Sequence, residues 1–229
     1  MEKEKNKVQW IDFAILPAIL VKNKQEFLKQ IEQVKDFVTE IHVDVMDNEF
    51  VPNFTVRPEE IGEFPYSNKL RYSFHWMVKN PENWIEKVKG NYLHLIQIES
   101  VENQSQWEKI KKTIKESGGR IGIVINPKTE LSKIIPYIPE VERVLVMFVE
   151  PGYSHQKYIP EIEEKLKELR RRYPKLNIEV DGGINLETIG SASKAGANAF
   201  AACSAIFSSG NIPEAIKKLR ESAISVHKR

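Results

Sequence analysis

Three short apolar runs in this sequence end in residues able to bind a metal or move a proton. Ile41 to Asp47 carries His42, Asp44 and Met46 at alternate positions. Side chains on a strand alternate between faces, so these three share one face and Val43 and Val45 the other. Valines suit packing against helices, which turns the polar set inward if the sheet closes. A second run, Phe74 to Met77, repeats an inward His75 followed two residues later by Met77. A third, Ile178 to Gly183, delivers Asp181 at a strand end. Buried without partners such groups are costly, which calls for a metal, an opposite charge or a ligand. Imidazole and carboxylate donors suit Zn²⁺, Fe²⁺ or Mn²⁺, and two of each leave room for substrate oxygens. Each residue alone also reads as a hydrogen-bonded core group, and the methionines as adaptable core filler. The four together at strand ends are harder to explain that way.

Positioning them requires a regular scaffold. Apolar runs at Phe13–Leu16, Glu40–Val45, Leu70–His75, Tyr92–Ile98, Arg120–Ile125, Arg143–Phe148, Asn177–Val180 and Ala199–Ala202 read as buried strands. Amphipathic stretches lie between them. Phe27, Ile31, Val34 and Val38 share one helical face after a capping-type Asn23 and Glu26. Asn80, Pro81 and Glu82 give another start signal, with Asn as cap and Pro in the first turn. Ile162, Leu166, Leu169 and Tyr173 follow Pro160, and Ile212, Ala215, Ile216, Leu219 and Ala223 stripe the last helix. Parallel strands need crossover helices. Eight such repeats in 229 residues favour closure into one (β/α)8 TIM barrel over an open doubly wound sheet, with the site at the strands' C-terminal ends. No linker or low-complexity tract divides the chain, so residues 1–229 read as one catalytic domain.

Composition narrows the partners. Thirty-four Lys and Arg stand against 32 Asp and Glu, a net charge of +2. That balance leaves no footprint for nucleic acid or an anionic membrane, and a small metabolite fits better. The single cysteine, Cys203, forms no internal disulfide. With no signal-like start and no membrane-length apolar run, the expectation is a cytoplasmic protein. A homo-oligomer is left open; Trp10, Trp84 and Trp107 read as helix-layer packing, and Arg170, Arg171 and Arg172 as a solvated helix face.

The sequence resembles the ribulose-phosphate 3-epimerases along nearly its whole length. The stretch from His42 to Thr55 carries the resemblance most specifically. Further matches are His75 to Met77, Asn126 and Pro127, Leu145 to Met147, Glu150 to Gly152 with Gln156, Glu179 to Gly183, and Ser204 to Phe207. The resemblance implies one divalent metal held by His42, Asp44, His75 and Asp181. Zn²⁺ is the ion expected first, with Fe²⁺, Mn²⁺ or Co²⁺ as alternatives. It further implies Asp44 and Asp181 as the acid–base pair, an apolar cap of Met46, Met77 and Met147, and a sugar-phosphate substrate of pentose phosphate metabolism, ribulose 5-phosphate. Gly152, Ser154, His155, Gly182, Gly183, Cys203 and Ser204 would contact that substrate.

Four places in the chain, six residues in all, depart from the family pattern. Where the family usually reads Gly-Phe-Gly-Gly-Gln, this chain has Gly152, Tyr153, Ser154, His155 and Gln156. Cys203 replaces a glycine beside the expected phosphate, Ala18 a common serine, and Gln97 a usual histidine on strand four. These changes leave two other readings. One is an epimerase for a hexulose phosphate or an unphosphorylated ketose; the other is a non-catalytic descendant that binds metal or sugar phosphate.

Overall fold

The computed structural model describes residues 13–153 and 156–227. Trp10, Ser154 and His155, on which expectations were placed, lie outside them. Eight parallel strands close into a barrel in sequence order: β1 (Ala14–Ile19), β2 (Glu40–Met46), β3 (Arg71–Met77), β4 (Leu93–Gln97), β5 (Arg120–Ile125), β6 (Arg143–Met147), β7 (Asn177–Asp181) and β8 (Ala199–Ala202). The expected (β/α)8 architecture is therefore what the chain adopts. Pro17 sits inside β1, at the point where the strand hands over from one neighbour to the other. Ala14 to Pro17 pair with β8, while Ala18 and Ile19 pair with β2.

The helices are α1 (Lys24–Val34), α2 (Pro58–Ile61), α3 (Glu82–Ile85), α4 (Gln104–Ser117), α5 (Glu163–Arg172), α6 (Ile189–Ala195), α7 (Ser204–Phe207) and α8 (Ile212–Ser225). Asn23 caps α1 by accepting from the Glu26 amide at 2.9 Å, as its sequence position implies. Phe27, Ile31 and Val34 are buried on its inner face; Val38 is buried too, but beyond the helix end. Between β5 and β6 no α-helix forms. Leu131–Lys133 and Ile135–Glu140 wind as 3-10 turns instead, since Pro136 and Pro139 cannot supply α-helical amide donors.

Two local expectations are corrected. Asn80 does not cap α3 with its side chain: its backbone is left-handed, with φ 47°, and Pro81 takes the cap position. A side-chain cap needs extended backbone at that residue. Arg170 is not part of a solvated face. Its guanidinium is half-buried and donates to the carbonyls of Gly196, Pro174 and Leu176, and to Asn198 Oδ1. Arg171 and Arg172 are exposed. Trp107 is fully buried against Tyr137, and Trp84 packs half-buried on the helix layer.

Two apolar layers position the site. Val43, Val45, Phe74, Trp76, Ile178 and Val180 join the layer between strands and helices. Inward residues of β4, β5 and β6, Leu93, Leu95, Val124, Leu145 and Met147, cluster in the barrel interior with Val149 just beyond β6. The polar residues share the interior parity.

Candidate metal centre and proton-transfer site

The inward positions of β2, β3 and β7 converge. Strand register sets Asp44 beside His75 and Met46 beside Met77. Asp181, at the end of β7, pairs with Met147 of β6 and Ala201 of β8. The result is a group of four, His42, Asp44, His75 and Asp181, whose ligand atoms all lie within 4.8 Å of one another. Asp44 Oδ1 is 3.2 Å from His42 Nε2 and 3.1 Å from His75 Nδ1, and Asp181 Oδ2 is 3.8 Å from His75 Nδ1. Metal–nitrogen bonds of ~2.0–2.1 Å place neighbouring ligand atoms of a tetrahedral site about 3.3 Å apart. The observed edges bracket that spacing, so these residues fit a divalent ion.

Each imidazole is oriented by a further buried group. His42 Nδ1 is 2.7 Å from Glu179 Oε1, leaving Nε2 to face the cluster. Glu179 Oε2 accepts from Arg143 at 2.8 Å, and Arg143 forks onto both oxygens of Glu40 at 2.6 and 3.2 Å. All three are buried at the foot of the interior. Glu179 shares parity with Asp181, which is the signal that could have assigned it a role from sequence. Arg143 offers none, because its partners lie 36 and 103 residues away. On the other side, His75 Nε2 is 3.1 Å from Gln97 Nε2.

This environment separates the proton affinities of the two aspartates. Burial favours neutral carboxyls, yet hydrogen bonds and charge from His42 and His75 outweigh it and hold Asp44 below the ordinary range. Asp181 is pushed up to about 6, first by burial and then by the Asp44 charge. Burial opposes a charged His42, but Glu179 and Asp44 face its two nitrogens and raise it well above the ordinary value. Metal and proton compete for the same lone pairs. Titrating metal-free protein with Zn²⁺ at pH 7 should thus release about one proton from His42, measured by calorimetry in buffers of different ionisation enthalpy. Affinity should fall more steeply below pH 6, where Asp181 also holds a proton. Binding without proton release would contradict this arrangement.

The remaining expected contacts line the same mouth. Met46, Met77 and Met147 border it, as do Gly152, Gly182 and Gly183. Met46 and Met77 pack with Val51 under the loop after β2, while Met147 belongs to the interior cluster. Gly182 and Gly183 have φ of 109° and 67°. A Cβ on Gly182 would stand 2.6 Å from Val149 Cγ2, and one on Gly183 2.7 Å from the Tyr158 amide nitrogen. Only glycine fits this turn without strain. Cys203 and Ser204 border the mouth at the start of α7. The Cys203 thiol is pushed up to about 12, by burial and then by the two aspartates, so it is a neutral wall group. Ala18 also lines the mouth, where a serine would add a hydroxyl.

One feature lay beyond sequence reading. The loops after β2 and β6 are clasped over the mouth: Tyr153 Oη donates to the Pro52 carbonyl at 2.8 Å, and Asn53 Nδ2 to that of Gly152 at 2.8 Å. Gln156 Nε2 closes the second loop on itself, donating to the carbonyls of Glu150 and Tyr153.

Comparison with known proteins identifies the family. The profile of the ribulose-phosphate 3 epimerase family matches residues 14–207. A cytoplasmic isoform of ribulose-phosphate 3-epimerase from Oryza sativa subsp. japonica is 37% identical over 80% of this chain and 81% of its own. Ribulose-phosphate 3-epimerase from Schizosaccharomyces pombe is 34% identical, covering 92% of this chain and 93% of its own. Among solved structures, 3-hexulose-6-phosphate synthase from Salmonella typhimurium superposes with a TM-score of 0.66 at 14% identity, covering 93% of this chain and 100% of its own. That likeness concerns the fold alone. No helix among the described residues is long and apolar enough to cross a membrane. From the family profile and the extent of these identities, the chain belongs to the ribulose-phosphate 3-epimerase family, isomerases that act on carbohydrates.

Proposed function

We propose that this protein interconverts D-ribulose 5-phosphate and D-xylulose 5-phosphate by inverting C3, using one divalent metal held by His42, Asp44, His75 and Asp181. The observation that carries the reading is the buried cluster of two imidazoles and two carboxylates at the barrel mouth. A binding protein has little use for two carboxylates with separated proton affinities. An epimerase needs both.

The C3 hydrogen lies next to the C2 carbonyl. One aspartate takes this hydrogen as a proton from one face of the sugar, and the electron pair moves toward the carbonyl to give an enediolate. The other aspartate returns a proton to the opposite face, which re-forms the ketone with C3 inverted. A bound divalent ion supplies Lewis-acid stabilisation of the developing oxygen charge. His42, Asp44, His75 and Asp181 would hold it, and Glu179 keeps His42 Nε2 directed at the cluster. Met46, Met77 and Met147 would keep water from the reacting carbon. Backbone amides around Gly182, Gly183 and Ser204 would face the phosphate, with Gly152, Ser154 and His155 on the neighbouring loop. The cytoplasm is the proposed compartment.

Comparing ribulose 5-phosphate, unphosphorylated ribulose and a hexulose 6-phosphate in one assay tests the substrate. Phosphate contacts should raise kcat/KM for ribulose 5-phosphate at least ~100-fold over the free sugar, since two or three charge-assisted hydrogen bonds are at stake. Equal rates on the free ketose would overturn the phosphate site, and preference for the hexulose would transfer the reaction to that sugar.

A further inference from the structure

We infer that Gln97 is a positioning residue whose carboxamide turns over when the site is loaded, so that its Oε1 accepts the Nε2 hydrogen of metal-bound His75. The inference rests on the metal reading above and adds a group to it.

The argument begins with the hydrogen on His75. Its Nδ1 lies 3.1 Å from Asp44 Oδ1, and an ionised carboxylate only accepts. A neutral ring with its hydrogen on Nδ1 satisfies this contact. The other nitrogen, Nε2, then accepts from Gln97 Nε2 at 3.1 Å. This arrangement is self-consistent, and it cannot survive metal binding. Nδ1 is the nitrogen directed at the cluster, so it must give its lone pair to the ion, and the ring hydrogen moves to Nε2. That hydrogen points into a fully buried environment, where it needs an acceptor.

Among the described residues, Gln97 is the group within hydrogen-bond reach of His75 Nε2. Its side chain is fully buried, and its Oε1 has no hydrogen-bond partner among the described residues. Because the other end of the amide is bound to nothing else, the state of His75 alone decides which end faces the ring. The two ends of a carboxamide are nearly isosteric, so a half-turn exchanges donor for acceptor without repacking. Glutamine at a strand end beside β3 supplies either role from one place.

The loaded state should depend on Gln97 more than the empty one does. A metal-bound imidazole N–H is a charge-assisted donor, and such bonds are about twice as strong as neutral ones. The test measures Co²⁺ affinity by chelator competition, with the cobalt absorption spectrum as a second readout, in wild type, Gln97→Leu and Gln97→Glu. Melting of the metal-free proteins reports folding. Gln97→Leu should lose about 10–100-fold in affinity, and Gln97→Glu, which keeps an oxygen at the same reach, should stay within about threefold of wild type. An unchanged affinity in Gln97→Leu overturns the inference. An equal loss in both variants also overturns it, because packing rather than an acceptor would then be at stake. If wild type itself binds no Co²⁺, the metal reading fails and takes this one with it. Should Gln97→Leu not fold, side-chain ¹⁵N spectra of wild type decide: zinc loading must move the His75 hydrogen to Nε2 and shift the Gln97 amide resonances, and an unmoved amide overturns the proposal.

Discussion

Asp181→Asn should lower kcat for ribulose 5-phosphate by roughly 10³-fold or more at saturating metal, and Asp44→Asn likewise. A positioned general acid or base is worth about 10²–10⁴-fold, and an amide can neither give nor take the required proton. Both residues also belong to the ligand cluster, so metal content must be measured alongside rate. Asparagine keeps one oxygen donor, so affinity should fall yet remain recoverable with excess ion. The separation of roles lies in that comparison. A variant with restored metal and a rate near normal would remove the aspartates from the chemistry, whatever their part in binding.

The second large effect concerns stability. Arg143→Met should cost about 3–5 kcal/mol, because it leaves Glu40 as a buried carboxylate without a buried cation and Glu179 with His42 alone. Arg71, at 3.4 Å from Glu40, is too exposed to replace it. Arg143 also holds Glu179 ionised against the burial that favours its neutral form. A neutral Glu179 is a weaker partner for His42, so metal affinity should fall with stability. Removing the stranded charge at the same time, in Arg143→Met/Glu40→Leu, should recover a large part of the loss. Urea unfolding of the metal-free proteins measures both. A cost below about 1 kcal/mol for the single variant would mean that water reaches the carboxylates and the triad is not a sealed one.

The contrast between these two sites shows what a sequence makes visible. His42, Asp44 and Met46 were legible because alternation on a strand is a rule of two residues, and Val43 and Val45 identified the opposite face. The barrel followed from the regular succession of runs, and α1 from its cap and stripe. Arg143 was silent: at the start of β6 it looks like a solvated strand end, and only closure of the barrel brings it to Glu40. Arg170 misled for a related reason. Its neighbours Arg171 and Arg172 are exposed, while its own partners come from the turn after α6 and the loop after α5. Asn80 misled locally, since a left-handed asparagine before proline carries the same letters as a cap. The missing helix between β5 and β6 was written in Pro136 and Pro139, but regular repetition suggested otherwise. Gln97 departs from the family pattern in the sequence itself, while its consequence depends on the position of His75.

The central claim is that this site removes and replaces the hydrogen at C3 of ribulose 5-phosphate. Metal-loaded protein incubated with that sugar in D₂O, followed by proton NMR with a chelated control, addresses it most directly. The account predicts loss of the C3 proton signal together with the appearance of xylulose 5-phosphate, both abolished by chelation. Retention of the C3 proton with metal demonstrably bound would contradict it.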